Sequence, residues 1–294
     1  MGNDSERTAY GIACVVSASF FTSLAGPIVR AVESSDGWTL QFWRQAWFLA
    51  FILLFLTWRH GWRGLPKACR DIGRPGLIGA VAMAISFVAF VFAMMATTVA
   101  KVVFIGATSP FLAALFAWIA LGERLKPVTW LAMGIALSGI ALMAGDGLTS
   151  GQGAGVLLCV ITVLGFGVTL VCLRSRADRD MLPTIALAGV LALIGSAIMA
   201  PSFAISGHDM LLAAIFGTVQ LGFQYVLVAI GARHVPAGEV ALLGRLQLVL
   251  GPLWVWITVD EAPSYLTLVG GAVVVSAIAL QSSFALRRRS PITP

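Results

Sequence analysis

The sequence predicts an all-α integral membrane protein: ten transmembrane helices forming two inverted five-helix repeats. Three observations predict it. First, 59% of the 294 residues are apolar and 11% charged, with a mean hydropathy of +0.94. Soluble domains carry about 25% charged residues. Second, apolar runs long enough to cross about 30 Å of hydrocarbon recur ten times, broken at Gly, Pro and charge. Third, the hairpin at 99–139 returns at 238–277. A shift of 138 residues carries Lys101 to Glu239, Gly106 to Gly244, Glu123 to Glu261 and Gly139 to Ala277. One ungapped shift matching a charged bend and two apolar arms is the mark of an internal repeat.

The ten spans read 10–32, 38–58, 75–96, 99–121, 128–144, 155–173, 182–203, 210–232, 237–259 and 265–286. Their short connections make neighbours antiparallel. Basic residues fall in alternate loops. Arg7, the cluster Arg59, Arg63, Lys67, Arg70 and Arg74, then Arg124 and Lys126, the trio Arg174, Arg176 and Arg179, Arg233, and the tail Arg287 to Arg289 share one side. The positive-inside rule puts that side, with both termini, in the cytoplasm of a multi-pass inner-membrane protein. Five helices per half is an odd number, so residues 147–294 start on the opposite side from residues 1–146. Such inversion is a transporter architecture, with the site near the midplane.

Composition also excludes. The net charge of +6 sits in loops and reads as topology, not as affinity for nucleic acid. Cys14, Cys69, Cys159 and Cys172 show no metal or disulfide spacing. No cofactor or metal is expected; the partners are a small-molecule substrate and membrane lipid. An intramembrane enzyme lacks its parts: there is no H-E-x-x-H, and Gly145-Asp146-Gly147 has no second intramembrane acid.

Within the spans, polar groups are the candidates for contact with a substrate. Arg245 lies about eight residues into the ninth span, where a lone charge costs at least about 2.5–3.5 kcal/mol. It reads either as a ligand for a substrate carboxylate or as a structural ion. Arg44 lies one and a half turns into the second span, able to contact substrate, snorkel to headgroups, or pair with Glu33 or Asp36. Lys101 reads as an interfacial anchor or, with Glu239, as a gate charge. Met83, Phe87, Phe90 and Met94 share one helical face, as core or as cavity wall. Gln220 and Gln224 share another, with Tyr225 beside them; amides in lipid need partners or water. The shift of 138 sets Gln224 against Ser86 and Tyr225 against Phe87. Thr162, Phe166 and Thr169 line a face of span six, and Ser19 and Ser23 one of span one. Trp254 reads as wall or belt. The pairs Gly134–Ser138 and Ala272–Ser276 suit close helix approach, within the fold or between subunits. No acid lies in the hydrocarbon interior and the histidines lie in loops, so facilitated or exchange-type movement is expected, without a proton relay.

The residues Pro110, Leu121-Gly122-Glu123-Arg124, Gly134 and Gly139, repeated as Leu246-Gln247, Gly251-Pro252, Asp260-Glu261 and Gly270-Gly271, resemble the EamA-type branch of the drug/metabolite transporter superfamily. Trp43-Arg44-Gln45 resembles that branch's start of helix two. One departure is Gln247, where the second copy usually has Glu. Within the superfamily the chain looks most like the aromatic amino acid exporters. The resemblance implies a monomeric carrier whose cavity is lined by helices one, three, four, six, eight and nine, with five and ten bracing the outside; a dimer would form through five and ten. The function it implies is export of aromatic or other hydrophobic amino acids by alternating access, the alternative being another anionic metabolite or drug-like compound.

Overall fold

The computed structural model describes residues 2–33, 36–175, 180 and 182–287. Every regular element among them is helical. The first pass comprises α1 (Gly2–Ser23) and α2 (Ala25–Ala31), and the second and third are α3 (Gly37–Asp71) and α4 (Gly73–Ala96). The fourth comprises α5 (Val99–Gly106) and α6 (Ser109–Leu121); α7 (Pro127–Thr149), α8 (Gly153–Arg174) and α9 (Leu182–Met199) follow. The eighth comprises α10 (Gly207–Ile215), a π-helical stretch (Phe216–Phe223) and α11 (Gln224–Gly231). The ninth joins α12 (Ala237–Leu243) to α13 (Gln247–Val259) through a 3₁₀ turn (Gly244–Leu246), and α14 (Tyr265–Arg287) is last. Eight of these passes are long and apolar enough to cross a membrane; the apolar stretches Gly244–Val259 and Tyr265–Gln281 are shorter.

Local chemistry sets the boundaries. Asp36 caps α3 by accepting from the Trp38 and Thr39 amides. Pro110 and Pro127 sit in the first turns of α6 and α7, where a missing N–H costs nothing. Gly122 ends α6 in the left-handed region, and its repeat mate Asp260 ends α13 the same way at φ 52°. α9 stops at Met199, short of the expected 203, because Pro201 disfavours helix at the residue before it. The basic segment after residue 58, expected as a loop, is helical. Gly61 turns the chain at φ 69°, and helix resumes to Asp71.

α4 packs on α8 and α9, α3 on α9 and the π stretch, and α1 on α11 and α13. α7 and α14 form a separate pair. Their contact differs from the expected small-residue stripe. Gly139 and Gly270 meet backbone to backbone, and a Cβ on either would lie 2.6–2.7 Å from the other's carbonyl oxygen. Gly134, Ser138, Ala272 and Ser276 point outward.

Candidate functional site

A cavity of about 170 Å³ lies between the two halves of the chain. Its wall takes residues from passes one to four, six, eight and nine, and none from α7 or α14. The main-chain irregularities cluster around it. α1 breaks from α2 between Ser23 and Ala25, α5 from α6 between Gly106 and Ser109, and the π stretch contains Gln220 and Leu221. All six of these residues line the cavity, and Gln247, just past the 3₁₀ turn, does too. Backbone with unsatisfied hydrogen-bonding groups is tolerated at membrane depth where it is buried in protein or lines a wet space. π segments recur at functional sites for a related reason: they re-aim side chains.

Nine of the twelve candidate residues stand in this wall: Arg44, Ser86, Phe87, Phe90, Thr162, Phe166, Gln220, Gln224 and Tyr225. So do Met83 and Met94, which completes the stripe on α4. Ser86 donates to the Thr162 carbonyl at 2.9 Å and ties α4 to α8. Gln220 Nε2 reaches the Thr22 carbonyl at 3.5 Å, while its Oε1 is buried without a partner.

Arg44 is the centre of the electrostatics. It is 1% exposed, so neither snorkelling nor pairing with Glu33 or Asp36 describes it. Its guanidinium stacks 4.3 Å from the Phe216 ring centre and 5.8 Å from those of Phe87 and Phe90. Its hydrogen bond goes to Gln41 Oε1 at 3.2 Å, and its Nε has no partner. Among the described residues no carboxylate pairs with it. Gly217 allows this placement, since a Cβ there would lie 2.3 Å from the Arg44 carbonyl oxygen.

The other three candidates lie elsewhere. Arg245 is half-buried in the 3₁₀ turn, outside the cavity wall, without a hydrogen bond or ion pair among the described residues. Lys101, expected as an interfacial anchor or as one of two gate charges with Glu239 on opposite sides, is buried in an ion pair. It is 1% exposed, with Nζ 2.7 Å from Asp146 Oδ2 and 3.0 Å from Gln152 Oε1. Ser264 also donates to that Asp146 oxygen, at 2.8 Å, so the pair fastens α5, α7 and the start of α14. Trp254 stands behind the wall and donates to Ser23 Oγ at 3.0 Å.

Sequence reading missed an ion pair. The sequence places Glu123 and Glu261 only at the charged bends; in the structure Glu261 Oε2 lies 2.6 Å from Arg30 Nε while its Oε1 accepts from the Val99 amide at the start of α5. Arg30, the basic residue in the last turn of α2, was the available signal.

The EamA-like transporter family profile matches residues 9–145 and 153–283. The chain belongs to that family. It is a multi-pass membrane transporter of small metabolites, and the family marks it as a carrier and not an enzyme. It is 26% identical over 278 residues to the pseudopaline exporter CntI of Pseudomonas aeruginosa strain UCBPP-PA14, covering 92% of this chain and 95% of the relative. The strain PAO1 exporter matches equally. A solved crystal structure superposes with a TM-score of 0.65 over 97% of this chain and 99% of its own, at 18% identity, which speaks to fold alone.

Proposed function

We propose that this EamA-type carrier exports small metabolites that join one carboxylate to a flat apolar group, aromatic and other hydrophobic amino acids foremost. The unpaired guanidinium of Arg44 at the cavity wall carries this reading. An isolated buried charge costs several kcal/mol; the three ring faces and Gln41 offset much of that but bring no counter-charge. A substrate carboxylate supplies the missing counter-charge. Phe87, Phe90, Phe166 and Tyr225 take the flat side chain, and Gln220, Gln224 and Ser86 take the ammonium. Arg44 replaces Arg245 as the residue assigned to the carboxylate.

The carrier works by alternating access between two inverted repeats, 1–146 and 147–294, as a facilitator or exchanger. Support comes from the two segments of the family match and from the broken helices around the cavity. The loop charges favour both termini in the cytoplasm of the inner membrane, with the carrier acting as a monomer.

Counterflow in proteoliposomes loaded with phenylalanine tests this reading. Labelled phenylalanine should accumulate transiently without a pH gradient, and tryptophan should compete. Phenethylamine, which lacks the carboxylate, should not. Uptake that stalls without a pH gradient would sink the exchanger mechanism. A second reading rests on the two relatives, which are named as pseudopaline exporters: the cargo is another anionic metabolite. Competition by pseudopaline or by a panel of organic anions, with aromatic amino acids inert, would select it.

A further inference from the structure

The two segments of the family match begin 144 residues apart and end 138 apart, by subtraction of their bounds. Arg30 and Arg174 are 144 residues apart and Glu123 and Glu261 are 138 apart, so each pair occupies one equivalent position in the two halves. The structure brings the four together crosswise. Arg30 at the end of the first pass meets Glu261, at the bend after the ninth. Arg174 at the end of the sixth meets Glu123, at the bend after the fourth. Each pair therefore takes its Arg from one half and its Glu from the other.

The pairs lie at opposite ends of the bundle. Glu261 accepts from the amide of Val99, the first residue of the fourth pass, and Glu123 follows that pass's last helical residue, Leu121. A pass of 23 residues puts about 34 Å between those ends. They also differ in strength. Arg30 holds Glu261 at 2.6 Å and donates to the Met94 and Thr97 carbonyls at 2.6 and 2.8 Å, its side chain 22% exposed. Arg174 reaches the two Glu123 oxygens at 3.3 and 3.4 Å, with the side chains 57% and 45% exposed. Exposed, loosely held pairs contribute little, whereas half-buried charge-assisted ones are the strong class.

We propose that Arg30–Glu261 and Arg174–Glu123 are two copies of one latch, closing the carrier at alternate ends, with the Glu261 end shut in this conformation. The proposal rests on the carrier reading but not on the substrate assigned above. A ligand shifts a two-state equilibrium only by its differential affinity, and so does a contact made in one state.

Gly106 lines the cavity and has open space where a Cβ would stand, so Gly106→Cys serves as the probe. In the full chain with Cys14, Cys69, Cys159 and Cys172 changed to Ser, a membrane-impermeant maleimide is applied to one face of the membrane at a time. Arg30→Ala should raise labelling from the Glu261 face by roughly fivefold or more. Arg174→Ala should move labelling the opposite way. Glu261→Gln keeps an acceptor for the Val99 amide without the charge, and reports the same shift if Arg30→Ala fails to insert. Both substitutions shifting labelling toward the same face, or neither shifting it, overturns the latch. Labelling needs no substrate, so a failed counterflow result with opposite labelling shifts would count against the cargo alone.

Discussion

Two cations are buried equally deeply in this protein in different surroundings. Lys101 and Arg44 are each 1% exposed. Lys101 sits on a carboxylate that is itself held by Ser264, and outside the cavity wall. Arg44 sits in that wall among rings, with a donor left over. Burial does not distinguish a structural charge from a working one. What distinguishes them is whether the protein supplies the counter-charge.

Removing each cation sharpens the comparison. Arg44→Gln keeps a polar side chain and should cut phenylalanine counterflow by more than about tenfold, the loss of one charge-assisted contact at about 1.5–3 kcal/mol. Its thermal midpoint in detergent should hold or rise, because an uncompensated charge has gone. Lys101→Met should do the reverse. It leaves Asp146, whose side chain is 14% exposed and still accepts from Ser264, without its cation, and should cost about 1.5–3 kcal/mol of stability, read as a lowered midpoint, with apparent affinity for phenylalanine little changed in the folded fraction. Lys101→Met with Asp146→Asn should recover most of that loss, since replacing a whole buried pair is close to neutral. If the double variant is no better than the single, the pair is not the self-contained unit described here. Smallest of all, Arg245→Ala should leave apparent affinity within about twofold, because that side chain lies outside the wall. A tenfold loss would return Arg245 to the site and remove the contrast.

The all-helical, multi-pass character was legible in the sequence, because long apolar runs report directly on lipid. The α4 stripe from Met83 to Met94 and the Gln220–Gln224 face were legible as well: side chains three or four residues apart share a face whatever surrounds the helix. The burial of Arg44 was not. Depth counted along a helix says how far a residue lies from the surface and nothing about what stands around it. The Lys101–Asp146 partnership was hidden by 45 residues of chain and the turn between α6 and α7. The place of Arg245 outside the cavity wall was not legible either, because counting through Gly244 assumed a continuous α-helix where the chain has a 3₁₀ turn. The Gly and Pro residues that mark such breaks were visible at Gly26-Pro27, Gly106 and Gly244, but each alone is tolerated in a transmembrane helix.

On the proposed reading, Arg44 waits for a carboxylate. Equilibrium binding of labelled phenylalanine to the purified protein tests it most directly, with phenylalanine and phenethylamine as competitors on the parent chain and on Arg44→Gln. Phenylalanine should displace the label from the parent chain at least about tenfold better than the amine, and Arg44→Gln should erase this preference. An amine that competes as well as the amino acid, or a preference that survives Arg44→Gln, contradicts it.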